Sequence, residues 1–401
     1  MKEQALKGAE EIVLPAGFRA AGIAAGIKRA GVRDMALIVS DRPAAIAGVF
    51  TTNQVCAATV KLDRERLKGR VARAVVVNSG NANACTGARG LRDARRMAAR
   101  TAEELGVDER QVFVCSTGRI GVPMPMPVIE RGIPELVRRL SATGGPDAAQ
   151  AILTTDTRPK RWTVRFRAGG RTLTLSGMAK GAGMIEPNMA TMLAFLMTDA
   201  AVAPAALQQR ALKAAADRSF NRVTVDGDRS TNDTALLLAN GAAGNPPLAE
   251  GRPGWRAFTE ALDEAALQLA KMIARDGEGA TRLATIVVRG ARNDRDADLA
   301  ARSVANSLLV KTAWAGEDAN WGRVMDALGY SAAKVVESNV DIRFDDRWAV
   351  RRGAPGPARD AELRAVIARP EFTVTIDLHL GKGRAIVYTC NITEAYVRIN
   401  V

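Results

Sequence analysis

A threonine in the middle of the chain stands where it could act as a nucleophile. Thr191 follows the glycine-rich turn Lys180-Gly-Ala-Gly183 and precedes the apolar run Met192–Met197. Its hydroxyl needs a base, and cleavage on its N-terminal side would release an α-amine for that purpose. A free α-amine has a pKa of about 8 and accepts a proton far better than an internal amide does. A packed strand threonine is the alternative interpretation.

Few other bases are available, because the whole chain contains a single histidine, His379. It lies in the alternating run Phe372–Leu380, which predicts a strand histidine rather than a catalytic one. A histidine-rich zinc site is excluded, and a Ser-His-Asp triad would depend on His379 alone.

A second candidate for chemistry is the turn Thr117-Gly118, at the end of a short predicted strand. Such a turn can direct a hydroxyl and a backbone N–H toward one point, as an oxyanion requires. On these two residues alone, an ordinary turn is the competing interpretation.

The spacing Asp226-x-Asp228 suggests a divalent-ion loop. However, Thr231 and Leu237 stand where a calcium loop needs Gly and Glu. The pattern therefore predicts a turn whose Asp side chains accept hydrogen bonds from their own backbone, and no metal site.

Alternating strands and helices must position these residues. Because the two element types are mixed throughout and no repeat separates them, the fold class is α/β or mixed α+β. Residues from about 284 onward form a smaller C-terminal lobe in this interpretation. Predicted strands are 35–50, 71–77 and 112–114, with a hairpin at Gly169-Gly170 and helices at 91–105, 204–218 and 255–273.

The composition limits the partners. The net charge is +14, but aromatic residues make up only 4% of the chain and do not interleave with the basic ones, so nucleic-acid binding is not favoured. No run of about 18 apolar residues indicates a membrane span, and the charged N-terminus is unlike a signal peptide. The cysteines form no CxxC pair, which predicts buried thiols in a reducing cytoplasm; they are Cys56, Cys85, Cys115 and Cys390.

A series of short motifs runs in register from about Gly17 to Asn400. Together they resemble the ornithine acetyltransferase family, whose bifunctional members are glutamate N-acetyltransferases and amino-acid acetyltransferases of arginine biosynthesis. The motifs are Gly80–Gly87, Ser116–Gly118, Thr154–Thr157, Met178–Met184, Ala190–Met192, Thr224–Asp228, Ser230–Thr234, Arg275–Thr281 and Asp318–Arg323.

The resemblance implies an α-β-β-α sandwich and self-cleavage between Ala190 and Thr191. The products would be an α chain of residues 1–190 and a β chain of residues 191–401, the latter containing the smaller lobe. Thr191 would then carry the acetyl group of N-acetylornithine to glutamate in a ping-pong cycle. An aminopeptidase or amidase of the related fold, with water as the acceptor, is the alternative.

The resemblance also assigns roles within the site. Lys180 suits a substrate α-carboxylate and Glu278 an ammonium, although each could instead be a surface charge. The oxyanion hole would be Thr117 and Gly118, and the substrate-binding residues Thr154, Lys180, Thr191, Glu278 and Asn400.

The expected protein is cytoplasmic, needs no cofactor or metal, and assembles as a heterotetramer of two α and two β chains. Whether acetyl-CoA is a second acetyl donor is left open. Two departures from the family pattern leave the substrate affinity open: Asn391 stands where Asp is common, and Tyr396–Asn400 is followed only by Val401.

Overall fold

The computed structural model describes residues 8–186 and 192–401. These residues divide into two compact units. The first contains residues 8–181, 192–221 and 229–270, and the second contains residues 182–186, 222–228 and 271–401. Both units combine strands and helices, so the predicted mixed α/β class is confirmed.

The first unit is built on an eight-stranded sheet with the order β4-β3-β2-β8-β7-β6-β5, and β1 pairs with β2. The pairs β3–β4 and β7–β8 are parallel, whereas the others are antiparallel. Its strands are β1 (Phe18–Ile23), β2 (Met35–Phe50), β3 (Val71–Asn81), β4 (Val112–Arg119), β5 (Lys160–Ala168), β6 (Arg171–Lys180), β7 (Leu193–Thr198) and β8 (Thr234–Ala239).

Helices cover this sheet because successive strand residues point to opposite faces. Along β2, Met35 and Leu37 pack in one apolar cluster with residues of α2 and α3, whereas Ala36 and Ile38 belong to another. The helices are α1 (Ala58–Arg66), α2 (Gly87–Leu105), α3 (Met126–Arg138), α4 (Gly145–Ala151), α5 (Ala205–Arg218) and α6 (Trp255–Arg275), of which α6 ends in the second unit.

The second unit contains a six-stranded sheet with the order β12-β11-β10-β13-β9-β14, in which only β13 and β9 run parallel. Its strands are β9 (Leu283–Ala291), β10 (Asp341–Phe344), β11 (Arg347–Arg351), β12 (Ala354–Pro355), β13 (Glu371–Asp377) and β14 (Gly383–Cys390). Its helices are α7 (Asp294–Asn306), α8 (Leu308–Ala315), α9 (Trp321–Gly329), α10 (Asp360–Ile367) and α11 (Glu394–Ile399).

The strands and helices predicted from the sequence are present, including the hairpin β5–β6 at Gly169-Gly170. Their ends shift little except in β4, which was predicted to end at 114 and continues to Arg119. Gly106 ends α2 with a φ of 64°, a conformation that suits glycine. Among the described helices, none has the length and apolar character needed to cross a bilayer.

Two details of the sequence interpretation are wrong. His379 lies two residues beyond β13 in a turn with φ of 49°, because the Asp377 carboxylate accepts its backbone N–H at 3.1 Å and ends the strand. The His379 ring instead lies 2.8 Å from Asp341 Oδ2. Only Cys115 and Cys390 are buried as predicted, because Cys56 is half-buried and Cys85 is exposed in the turn before α2.

Side chains of α1 cover the outer edge of β4 and bind backbone groups that no neighbouring strand pairs. Asp63 accepts the Val114 N–H at 2.9 Å, and the Arg66 guanidinium donates to the Val112 carbonyl. Because the Asp63 carboxyl is only 1% exposed, burial raises its pKa to about 8, an effect that the Val114 N–H and the Arg66 charge oppose.

This raised pKa makes stability depend on pH. In the unfolded chain Asp63 ionises near its ordinary pKa of 3.8, so its stabilising contribution is full below that pH and is lost as the pH rises toward 8. We expect Asp63→Asn, whose amide oxygen can still accept from Val114, to raise Tm by at least about 2 °C at pH 8 and by less at pH 5. Thermal scans across this range, with the exposed Asp41→Asn as control, check it; a lower Tm at pH 8 would contradict it.

Candidate active site

Thr117 and Gly118 belong to β4, which continues past the predicted end at residue 114 to Arg119, so they are strand residues and not a turn. Near the end of the parallel pair β3–β4, Gly80 is paired with Gly118. Gly118 has a φ of 132°, and a Cβ placed on it would lie 2.3 Å from the Gly80 carbonyl carbon. Only glycine fits this position. The contact explains why glycine follows Thr117, and it fixes the path of the backbone at the candidate oxyanion hole.

Buried amide side chains hold the same backbone from behind. Asn232 Nδ2 donates to the carbonyls of Ser116, at 2.7 Å, and Ala82, at 2.6 Å. Ser116 Oγ donates to Asn78 Oδ1 at 2.6 Å, and Asn78 Nδ2 donates to the Asn81 carbonyl at 2.9 Å. Since these groups are buried and satisfied, the network rigidifies the loops that end β3 and β4.

The structure brings Lys180 and Thr117 together, although 63 residues separate them in the chain. Lys180 is the last residue of β6, only 8% exposed, and its Nζ lies 3.3 Å from Thr117 Oγ1. The alternative that Lys180 is a surface charge is therefore wrong. A buried ammonium beside a hydroxyl is suited to stabilising negative charge.

Asp156 is a site residue that the sequence analysis missed. Its Oδ1 accepts hydrogen bonds from Lys160 Nζ and from the Gly181 N–H, both at 2.6 Å, and its Oδ2 accepts from the Thr154 N–H at 3.0 Å. It thus ties the backbone at Thr154 to the backbone just after Lys180. The sequence signal was an Asp two positions after Thr154, the spacing of a side chain that caps its own turn.

The charge state of Asp156 follows from this environment. Its carboxylate and the Lys160 ammonium are both 0% exposed. Burial alone would raise the Asp156 pKa, but the charges of Lys180 and Lys160, with the Gly181 N–H, outweigh it and hold the pKa well below its usual value. Asp156 is therefore an anion between two lysines at every pH at which the protein is expected to work.

In the second unit, the structure brings together the other two predicted substrate residues. Asn400 Nδ2 donates to Glu278 Oε2 at 2.7 Å, and the Glu278 backbone N–H donates to the Ala182 carbonyl at 2.8 Å. Glu278 is only 8% exposed, so it is not a surface charge. A Cβ on Gly183 would lie 2.4 Å from the Glu278 carboxyl carbon, which explains the glycine there.

The predicted Asp226 turn is confirmed, since Asp226 Oδ1 accepts the Asp228 N–H at 3.2 Å. The same carboxylate also accepts the N–H groups of Met184, at 2.6 Å, and Ile185, at 2.8 Å. Asp226 thus anchors the segment that follows Gly183. Within residues 8–186 and 192–401, no three His, Cys, Asp or Glu side chains are grouped so as to hold a metal ion.

Ala190 and Thr191 lie outside the described residues, so the cleavage site and the nucleophile stay predictions. The first unit contains the candidate residues Thr117, Gly118, Thr154 and Lys180, to which the structure adds Asp156 and Asn232. The second unit contains the candidate pair Glu278 and Asn400.

Removing the Asp156 charge tests its role in holding this site. Asp156→Asn would remove the buried anion that pairs with the Lys160 ammonium and lies near Lys180, so we expect a loss of about 3–5 kcal/mol in the free energy of unfolding. Because the Asp156 pKa is depressed when folded, the loss should be full above about pH 4 and vanish in stronger acid. Thermal and urea unfolding measure it, and Asp147→Asn, at an exposed ion pair with Arg33, is the matched control. Equal effects of the two substitutions would contradict the assignment.

Comparison with known proteins identifies the family of the chain. A sequence profile of the ArgJ family matches residues 19–401. The arginine biosynthesis bifunctional protein ArgJ of Geobacter sulfurreducens is 55% identical over 96% of this chain and 98% of its own length. The same-named protein of Symbiobacterium thermophilum is 52% identical over 97% of each chain.

Solved structures of related proteins cover parts of the chain. The ArgJ structure from Bacillus halodurans is 43% identical, covering 47% of this chain and 100% of its own, with a TM-score of 0.45. The ornithine acetyltransferase of Mycobacterium tuberculosis in complex with ornithine is 42% identical, covering 47% and 99%, with a TM-score of 0.43. On the profile match and the near full-length identities, this chain belongs to the ArgJ family.

Proposed function

We propose that this protein is an acetyltransferase of arginine biosynthesis that moves the acetyl group of N-acetylornithine to glutamate. The observation that carries the proposal is the 3.3 Å contact between Lys180 Nζ and Thr117 Oγ1, which puts a buried ammonium next to the candidate oxyanion hole. Family membership and the names of the relatives support the same activity.

The proposed cycle has two half-reactions at Thr191. Thr191 Oγ attacks the acetyl carbonyl of N-acetylornithine and gives its proton to the Thr191 α-amine. The amide C–N bond breaks, the proton passes to the leaving nitrogen, and ornithine departs from an acetyl ester. The amine of glutamate then attacks this ester, Thr191 Oγ leaves with a proton, and N-acetylglutamate is released.

Thr117 and Gly118 would donate hydrogen bonds to the oxyanion in both half-reactions. Lys180 would hold the substrate α-carboxylate, and Glu278, positioned by Asn400, would hold an ammonium. Thr154, whose backbone Asp156 fixes, would complete the substrate site. The cycle needs no cofactor or metal, and we propose acetyl-CoA as a second acetyl donor at the same threonine.

We propose that cleavage between Ala190 and Thr191 creates the α-amine. A cut there is compatible with a folded product, because β7 and β8, which follow the cut, lie in the sheet between β2 and β6, which precede it. The hydrogen bonds of β2–β8 and β6–β7 would keep the fragments together. Two cleaved molecules, each made of one α and one β chain, would associate to form the heterotetramer that the resemblance implies.

A cytoplasmic location is part of the proposal. All four cysteines are free thiols, which accords with a reducing compartment.

Intact mass and acetyl transfer test the mechanism together. We expect the wild type to consist of chains 1–190 and 191–401 and to form N-acetylglutamate from N-acetylornithine and glutamate. Thr191→Ala removes the nucleophile, so it should stay a single inactive chain, whereas Thr191→Ser keeps a hydroxyl and should still be cut. An uncut wild type would refute self-processing. Release of acetate that is unaffected by glutamate would instead favour the amidase alternative.

The oxyanion role is tested at Thr117. Thr117→Val keeps the shape but removes the hydroxyl donor, so we expect kcat to fall by about 10²–10³-fold with a smaller change in KM. Thr117→Ser keeps the donor and is the matched control. Rates should be measured on the cleaved fraction, because cleavage itself forms an oxyanion. A kcat for Thr117→Val close to that of Thr117→Ser would argue against the role.

A further inference from the structure

A second lysine lies beside the candidate site in the loop between β1 and β2. This loop wraps around the buried carboxylate of Asp34, which accepts four consecutive backbone N–H groups at 2.6–3.1 Å. The last of them belongs to Lys28. Its backbone is therefore fixed, and the hydrogen-bonding capacity of the Asp34 carboxylate is used by that backbone.

The Lys28 side chain extends to the site residues. Its Nζ donates to the carbonyls of Leu153, at 2.5 Å, and Arg33, at 3.2 Å, and Leu153 directly precedes Thr154. Its stem lies against Gly80, since a Cβ on Gly80 would be 3.1 Å from Lys28 Cγ. Gly80 is the strand partner of Gly118. Lys28 is thus adjacent to two of the predicted site positions in the same unit.

In the part of the chain that the structure describes, the Lys28 ammonium bonds to backbone carbonyls and not to a carboxylate. Among the ion pairs within residues 8–186 and 192–401, none includes Lys28. The nearby Asp156 carboxylate is bonded to Lys160 and to two backbone N–H groups. Burial lowers the Lys28 pKa to about 8; the Lys180 charge adds to this effect, while the charges of Asp34 and Asp156 oppose it. Two ammonium groups that repel each other favour an anion between or beside them.

We infer that Lys28 is a second ligand, beside Lys180, for the α-carboxylate that N-acetylornithine and glutamate have in common. This inference rests on the proposed function. The two substrates differ in the charge of their side chains, so a fixed cationic site can serve both only at the group they share. The backbone, the aliphatic chain and the ammonium of Lys28 are each held in place. Lys28 can therefore provide this fixed cationic site without rearranging.

Equilibrium binding tests the inference without depending on turnover. We expect Lys28→Gln to weaken glutamate binding about 10–100-fold in calorimetric titration at pH 7, because it removes a charge-assisted hydrogen bond. Lys28→Arg keeps the charge and should bind within about threefold of the wild type. Lys68→Gln, at an exposed lysine of the same unit, is the matched control and should not differ. Melting temperatures of the four proteins confirm that all are folded.

Steady-state kinetics and pH separate binding from a merely structural effect. KM should rise for both substrates in Lys28→Gln, with little change in kcat. The advantage of the wild type over Lys28→Gln should shrink above pH 8, where Lys28 loses its proton, while that of Lys28→Arg persists. Comparing variants at each pH cancels the ionisation of the substrate itself.

Two other outcomes would contradict the inference. If Lys28→Gln binds glutamate as tightly as the wild type does, Lys28 is not a substrate ligand. If Lys28→Gln weakens the binding of glutamate but not of N-acetylornithine, the ligand is not the α-carboxylate that the two substrates share. A wild type that binds glutamate but transfers no acetyl group refutes the proposed function, while the affinities of the variants still decide the role of Lys28.

Discussion

The insertion of β7 and β8 between β2 and β6 is the constraint on which the rest of the first unit depends. Every residue of β7 and β8 is buried, and both strands are hydrogen-bonded on each side. The antiparallel pair β6–β7 begins at Lys180 opposite Leu193, which fixes both ends of the connection 181–192. A break in that connection removes one covalent bond but no bond of the ladder, so the sheet, not chain continuity, holds the site together.

The same strand pairing puts a buried lysine at the edge of the candidate site, and this has an electrostatic cost. Taking an ammonium out of water is unfavourable unless an anion and hydrogen bonds compensate. Asp156 supplies that anion for Lys180 and Lys160, and its remaining capacity goes to the backbone of Thr154 and Gly181. Asp156 therefore compensates the charges of the two lysines and also positions the backbone around them. This compensation explains how these charged side chains can be buried.

Much of the fold could be predicted because it follows local periodicity. Strands such as β3 are continuous apolar runs, and α2 alternates apolar and basic faces up to a terminating glycine. The contact between Lys180 and Thr117 could not be predicted from periodicity, since it depends on how β6 and β4 are placed in the sheet. Asp156 was missed because the pattern of a self-capping turn does not reveal that the same carboxylate also binds Lys160. His379 was misplaced because one side-chain hydrogen bond outweighed the strand alternation.

Three aspartates perform the same task, two of them in the first unit and one in the second. Asp34, Asp156 and Asp226 each accept two or more backbone N–H groups. A carboxylate that binds backbone donors fixes a loop independently of the side chains the loop carries. Gly181 is held by Asp156, and Met184 and Ile185 are held by Asp226. The chain leading to the predicted cleavage site is thus anchored by charged hydrogen bonds before that site, and these anchors would persist after a cut.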